Sequence, residues 1–404
     1  MAVIENPGIL LYPRIRKSPF FYASRQHGIT LYSVYNRTYH PRSYGDLEAE
    51  YWHMLEKVTL WDVGVERQVE ITGPDAFEFT NMLVPRDLNK CRIGQCKYVF
   101  VTNPEGGIIN DPVLLRLGEN HFWLSLADSD TLLWARGLAH GLGMDVTISE
   151  PDVGPVQIQG PRSVDVLSDL FGPSILDVPY YYAVERDLDG MDVVVSRTGF
   201  SGEVGYEIYL RNASRDGMRL WDAVMQAGEA HEIRPIAPCH IRRIEGGFLS
   251  WGNDITQDTN PFEVGYGFES TWMVDLDQEA DFIGKEALRR IKRDGVARKL
   301  VGVEIGGPHV GYFNDGSMID TFPVSDPRGL RIGEVTSACW SLSLEKNIGY
   351  AMVPVAYEQP GTELLIETQH GLHDAVVVPK PFIDPDKNKP KVLHGTNGRL
   401  TPQA

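Results

Sequence analysis

The sequence predicts an α+β chain of two related subdomains followed by a small C-terminal β-barrel. Three observations carry this. A strand, a Gly-Pro turn and a helix start occur twice, at 67–76 and again at 156–163. Strand and helix periods alternate through the first three quarters of the chain. From Lys299 onward the pattern changes to short apolar strands between Gly, Pro and Asp turns. At 404 residues the chain also exceeds what one ordinary core accommodates.

Residues 46–60 (DLEAEYWHMLEKVTL) have the spacing of an amphipathic helix. Trp61-Asp62-Val63 follow, and then Arg67-Gln68-Val69-Glu70-Ile71 alternates as a strand does. Thr72-Gly73-Pro74-Asp75-Ala76 turns the chain into a helix, with Pro at a helix start where no donor is lost. Val156-Gln157-Ile158-Gln159-Gly160-Pro161-Arg162-Ser163 repeats that unit. Between the copies, 97–103, 112–117 and 121–127 read as strands, and Asp128-Ser129-Asp130 as the cap of a helix through Trp134. Residues 190–196 and 206–210 bracket a glycine-rich hairpin, and 214–231 form an amphipathic helix. The run from Arg242 to Ile255 begins as an amphipathic helix and breaks at a glycine turn carrying Asn253 and Asp254. Such a helix end and polar loop suit the wall of a polar ligand site. Many helices end in the same turns for structural reasons alone. The expected division is 1–298 for the two-subdomain region, 299–381 for the barrel and 382–404 for an extended tail rich in Pro, Lys and Asn.

Composition narrows the function classes. The 42% hydrophobic and 23% charged content is that of a soluble globular protein. No apolar run reaches the roughly 18 residues of a membrane span, and the N-terminus lacks the pattern of a signal peptide. No membrane partner and a cytoplasmic location are therefore expected. A formal charge of −17 argues against nucleic acid, which needs a basic face, while a few local arginines still suffice for a small anion. The four cysteines form no CxxC pair or zinc spacing, so reduced thiols and no metal are expected. Gly199-Phe200-Ser201-Gly202 falls in a hairpin, not between a strand and a helix, so it is no dinucleotide fingerprint.

Several motifs, in order along about residues 45–380, resemble the folate-binding aminomethyltransferase family typified by the T-protein of the glycine cleavage system. They are Asp62-Val63, Gly73-Pro74-Asp75, Gly106-Gly107-Ile108-Ile109-Asn110-Asp111, Gln159-Gly160-Pro161, the hairpin from Arg197 to Ile208, and Arg243-Ile244-Glu245-Gly246-Gly247. Asp281-Phe282-Ile283-Gly284-Lys285 and Thr336-Ser337 extend the match into the last domain. Within the family the chain is most similar to the dimethylsulfoniopropionate demethylases, through Val65-Glu66-Arg67-Gln68, Pro85-Arg86-Asp87-Leu88, Asn110-Asp111-Pro112 and Ser250-Trp251-Gly252-Asn253-Asp254. The resemblance implies a three-domain cloverleaf with tetrahydrofolate as co-substrate in a central funnel. It implies methyl transfer from a small-molecule donor to N5, and leaves a homodimer open. Cys239 stands where the T-protein carries an arginine.

The same resemblance assigns roles. Asp111, on spacing alone a turn carboxylate, becomes the catalytic acid–base group beside N5. Glu207 would accept paired hydrogen bonds from the N3 and 2-amino groups of the pterin. Tyr98 and Asn103 border folate in the family. Arg243 divides between a structural ion pair and a ligand contact. A methylated cation also wants aromatic faces; Trp251 and Trp340 are the first candidates, with Tyr206 and Tyr32 behind them. His240, near a helix start, reads as structural. Three other readings stay open: an O- or N-demethylase with another donor, the glycine-cleavage aminomethyltransferase itself, and a non-enzymatic folate-binding regulatory protein.

Overall fold

The structure is a computed structural model and describes residues 14–266, 272–312, 321–394 and 400–401. A five-stranded antiparallel sheet runs in the order Thr147–Ser149, Gln68–Thr72, His121–Ser125, Val113–Gly118, Cys96–Tyr98. A six-stranded sheet runs Ala183–Leu188, Met191–Ser196, Gly205–Arg211, Val153–Gln159, Thr59–Asp62, Arg234–Pro235, and only its last pair is parallel. Six further strands between Arg298 and Val378 close into a barrel. Among the described residues, no helix is long and apolar enough to cross a membrane.

The repeated Gly-Pro unit is real in three dimensions. Strand Gln68–Thr72 leads into helix Ala76–Leu83, and strand Val153–Gln159 leads into helix Ser163–Phe171. Each helix covers its sheet through a buried apolar stripe, with Phe79 and Leu83 in one core and Val164 and Leu167 in the other. The two sheets also meet directly. Cys96, Leu115 and Trp123 pack on Val194 and Tyr209, and an isolated bridge joins Gln95 to Tyr182. A fourth cluster, including Tyr51, Phe100, Ile244, Phe262 and Tyr350, binds these sheets to the barrel.

Some expectations change. The first amphipathic helix stops at Glu56, and Thr59–Asp62 is already a buried strand beside Val153–Gln159. Residues 97–103 break into Cys96–Tyr98 and Val101–Thr102, because the second piece pairs with Ile108–Asn110 instead of staying in the sheet. Asp130 precedes helix Thr131–Leu142 without a side-chain cap, and Asp128 accepts a hydrogen bond from the Asn36 backbone at 2.8 Å. Helix His240–Glu245 is not amphipathic: all six residues are buried. The tail through Lys391 is tied down rather than free. The Phe382 and Ile383 amides donate to the Glu245 carbonyl, and Arg197 donates to the Pro390 and Lys391 carbonyls.

The Gly-Gly turn at 106–107 shows how local chemistry sets these positions. Gly106 has φ +86°, which favours glycine. Gly107 has an ordinary φ, but a Cβ there would run into the Gln257 carbonyl. Gly107→Ala should therefore lower stability by about 1–3 kcal/mol, read as a shift in urea midpoint with unchanged slope.

Candidate active site

A cavity of about 740 Å³ opens where both sheets, the short helix His240–Glu245 and the tail converge. Its wall includes Tyr35, Trp61, Glu66, Tyr98, Asp111, Gln157, Tyr181, Phe200, Trp251 and Tyr266. Cations Arg42, Arg86, Lys97, Arg243 and Lys387 share it. Aromatic walls with a few convergent polar groups are the usual form of a small-molecule site.

Asp111 reaches the cavity because its neighbours are fixed. The Asn110 side chain donates to the Ala127 carbonyl and accepts from the Ala127 amide, each at 3.0 Å. That clamp holds the strand end against the 125–128 segment. Asp111 Oδ2 then accepts from the Tyr98 hydroxyl at 2.9 Å, while Oδ1 is buried without a partner. Burial raises the Asp111 carboxyl to about 7; the Tyr98 hydrogen bond opposes this and the Asp254 charge adds to it. A carboxyl raised to that range can exchange a proton near neutrality.

Two other wall atoms are buried without partners, His40 Nδ1 and Gln157 Oε1. Like Asp111 Oδ1, these are buried polar atoms without partners on residues that line one cavity. His40 and His240 are both held neutral, chiefly by burial. Burial also pushes the Cys239 thiol up to about 12, so it contributes a neutral surface to the wall.

The predicted site residues separate into two groups. Asp111, Tyr98, Arg243 and Trp251 come together in the cavity. Arg243 also pairs with Asp254 at 2.7 Å and donates to Ser337 at 2.6 Å, so it carries the structural ion pair while facing the cavity. The Trp251 indole N–H is tied to the Ile108 carbonyl at 3.0 Å. Glu207, Asn103, Trp340, Tyr206 and Tyr32 are not among the cavity-lining residues. Glu207 is buried behind Gln157, whose amide donates to it at 2.6 Å. Asn103 closes the glycine turn, accepting from the Gly107 amide and donating to the Gln257 carbonyl. Trp340 stacks on His309 with centroids 4.8 Å apart, on a barrel strand. Tyr206 is wholly buried in the core of the six-stranded sheet. Tyr32 stacks on Phe21 and shares a hydrogen bond with Ser24.

Sequence reasoning missed Tyr35, Glu66 and Gln157. Glu66 accepts from Ser125 at 3.0 Å and is held well above the usual carboxyl range by burial and by the charge of Glu207. A signal for Gln157 existed: Gln157 and Gln159 alternate in an otherwise apolar strand, so both amides share one face of a central strand. The tail supplied a further surprise. Lys387 lines the cavity, its ammonium bonded to the Gly246 carbonyl and lying 4.2 Å from the Phe248 ring centroid, with its pKa lowered to about 8 by burial.

Comparison with known proteins gives consistent results. A family model described as the GCVT N-terminal domain matches residues 20–278, and one described as the glycine cleavage T-protein C-terminal barrel domain matches 298–384. The dimethylsulfoniopropionate demethylase DmdA of Ruegeria pomeroyi is 36% identical over 364 residues, covering 90% of this chain and 96% of that protein. An aminomethyltransferase of Bacillus subtilis is 30% identical over 351 residues, covering 85% and 92%. The crystal structure of the glycine cleavage system aminomethyltransferase T from Bartonella henselae superposes with a TM-score of 0.80 at 24% identity, covering 92% of this chain and 99% of that one.

The raised Asp111 carboxyl has a thermodynamic consequence. Its folded pKa of about 7 lies above the unfolded value near 3.8, so the native state binds more protons between them. Stability from this group is therefore lost as pH rises through that window. Asp111→Asn should gain thermal stability relative to wild type, and the gap in Tm should be wider at about pH 8 than at about pH 5. A gap independent of pH would mean that Asp111 titrates as an ordinary surface acid.

Proposed function

The chain belongs to the glycine cleavage T-protein family of folate-dependent one-carbon-transferring enzymes, and on that premise we propose that it is a tetrahydrofolate-dependent demethylase of a small methylated cation. Dimethylsulfoniopropionate is the favoured donor. The observation that carries this reading is Asp111 Oδ1, an unpartnered carboxylate oxygen in an aromatic cavity, with its carboxyl poised near neutrality.

The transfer is a displacement at a methyl carbon. N5 of the reduced pterin forms a bond to that carbon as the sulfur–carbon bond breaks, and the bonding pair leaves with sulfur as a neutral thioether. The proton on N5 is then released, and Asp111 is the group placed to take it. A neutral thioether needs no acid to help it leave. The protein's contribution is alignment and charge placement, which the fixed ring faces and carboxylates of this cavity supply.

Charges in the wall match the charges of both reactants. Tyr35, Glu66, Asp111 and Asp128 face one another closely enough that the three carboxylates raise the Tyr35 hydroxyl, after the larger effect of burial. Aromatic faces beside carboxylates replace the hydration of a fixed cation. Arg42, Arg86, Lys97 and Lys387 supply cations for the carboxylates of the donor and of the folate tail. A second reading, the aminomethyltransferase reaction, is favoured by the sequence likeness to the Bacillus subtilis protein. Cys239, neutral in the wall in place of the T-protein arginine, counts against it.

The test is a donor assay for 5-methyltetrahydrofolate with sulfonium, betaine and methoxyaryl compounds. Product from dimethylsulfoniopropionate is expected, and Asp111→Asn should cut turnover about 100- to 10,000-fold with little change in folate affinity. The pH–kcat/KM profile should rise with an apparent pKa near 7, and this limb should vanish in the variant. Product from methoxyaryl donors alone would replace the donor, and failure to bind tetrahydrofolate would remove the folate reading altogether.

A further inference from the structure

Two neighbouring cations of the cavity wall have no acid to answer them. Arg86 and Lys97 both line the cavity and are both half-buried. The chain carries 55 acidic against 38 basic side chains, so carboxylate partners are plentiful. Yet among the described residues neither Arg86 nor Lys97 joins an ion pair, and the Lys97 ammonium has no hydrogen-bond partner. Burial, and after it the Arg86 charge, lowers the Lys97 ammonium, and burial lowers the Arg86 guanidinium. Both groups thus bear a desolvation cost, and Lys97 bears like-charge repulsion as well. An anion seated between them relieves both.

The protein holds this pair in place. The Arg86 guanidinium donates to the Tyr98 carbonyl at 2.8 Å and lies 4.8 Å from the centre of the Trp272 ring. Trp272 lines the cavity while remaining 48% exposed, so Arg86 stands at the cavity mouth. Lys97 comes from the edge strand Cys96–Tyr98. The next residue on that strand, Tyr98, ties the pair to the reacting end, because its hydroxyl donates to Asp111 at 2.9 Å. A planar guanidinium beside an ammonium with three donors suits carboxylate oxygens.

We propose that Arg86 and Lys97 form a carboxylate site at the cavity mouth that takes the glutamate end of the reduced folate. The inference rests on the folate-dependent reading above and specifies which reactant's carboxylates these two cations hold. A folate glutamate brings an α- and a γ-carboxylate, so its two anions match two cations. It lies beyond the aminobenzoyl ring from N5, as the mouth lies beyond Tyr98 from Asp111. The donor instead brings a single carboxylate on a short chain, close behind a sulfonium that must itself reach N5.

Calorimetry with tetrahydrofolate and with tetrahydropteroate, which lacks the glutamate, tests this on the full chain. Wild type should bind tetrahydrofolate about tenfold or more tightly, because hydrogen bonds to charged groups are the strong ones. Lys97→Met should cut that preference about threefold or more, by weakening tetrahydrofolate and not tetrahydropteroate. The Lys97 ammonium bonds nothing among the described residues, so this variant should fold as wild type does, and a melting curve checks it. Arg86→Met should act in the same direction. A donor arm measures KM for dimethylsulfoniopropionate at saturating tetrahydrofolate. If Lys97→Met raises that KM and spares tetrahydrofolate affinity, the carboxylate is the donor's and the inference is overturned. Equal wild-type affinity for the two folates, or an unchanged preference in Lys97→Met, overturns the inference alone. Failure of wild type to bind either compound removes the folate-dependent reading itself, and the inference with it.

Discussion

The short helix His240–Glu245 carries two arginines and a glutamate into the interior, and a different part of the chain answers each charge. Arg242 pairs with Glu203 and Glu245, each at 2.7 Å, and Arg243 pairs with Asp254 at 2.7 Å. Glu245 further accepts from Tyr51 at 2.9 Å and from Ser341 at 2.5 Å, and Asp254 accepts from Ser337 and Thr336. Buried charges are tolerated only when paired and hydrogen-bonded, and removing one partner of such a pair costs about 3–5 kcal/mol. This network therefore fixes the barrel, the glycine hairpin and helix Leu47–Glu56 around one point. The cavity beside it persists because its walls are pinned by charge and cannot simply collapse on apolar contacts.

Chemistry then divides along the cavity. Ring faces and two neutral histidines share the wall with the cations and carboxyl groups. The Asp111 carboxyl is raised because burial outweighs the hydrogen bonds, led by that from Tyr98, that stabilise its anion. Lys387 comes from a tail that is itself held to Glu245, Glu203 and Arg197. A segment that composition marks as an arm thus becomes part of the site, through contacts with residues as distant in sequence as Arg197.

Much of this was legible in the sequence. The Gly-Pro repeat, the change of texture after Lys299 and the ordered motifs give the fold, because each reflects local backbone chemistry. Asp111 and Trp251 stand on loops whose glycine turns are distinctive in the sequence, and both line the cavity. Trp340, Tyr32 and Tyr206 were misplaced because aromatic character says nothing about which face of a strand meets the cavity; Tyr35, three residues beyond Tyr32, is the one that does. The burial of helix His240–Glu245 was hidden for a related reason. Arg242, Arg243 and Glu245 look solvent-facing until partners as distant as Ser337 and Ser341 are placed beside them. Glu207 illustrates a subtler limit: that Gln157 is its cross-strand partner and donates to it depends on register, which no local pattern reveals.

The most direct measurement of the central claim is a crystal structure of this chain with tetrahydrofolate. The account predicts the pterin inside the cavity, with N5 within about 3.2 Å of the Asp111 carboxyl. A reduced folate bound outside this cavity, or seated in it with N5 turned away from Asp111, would contradict it.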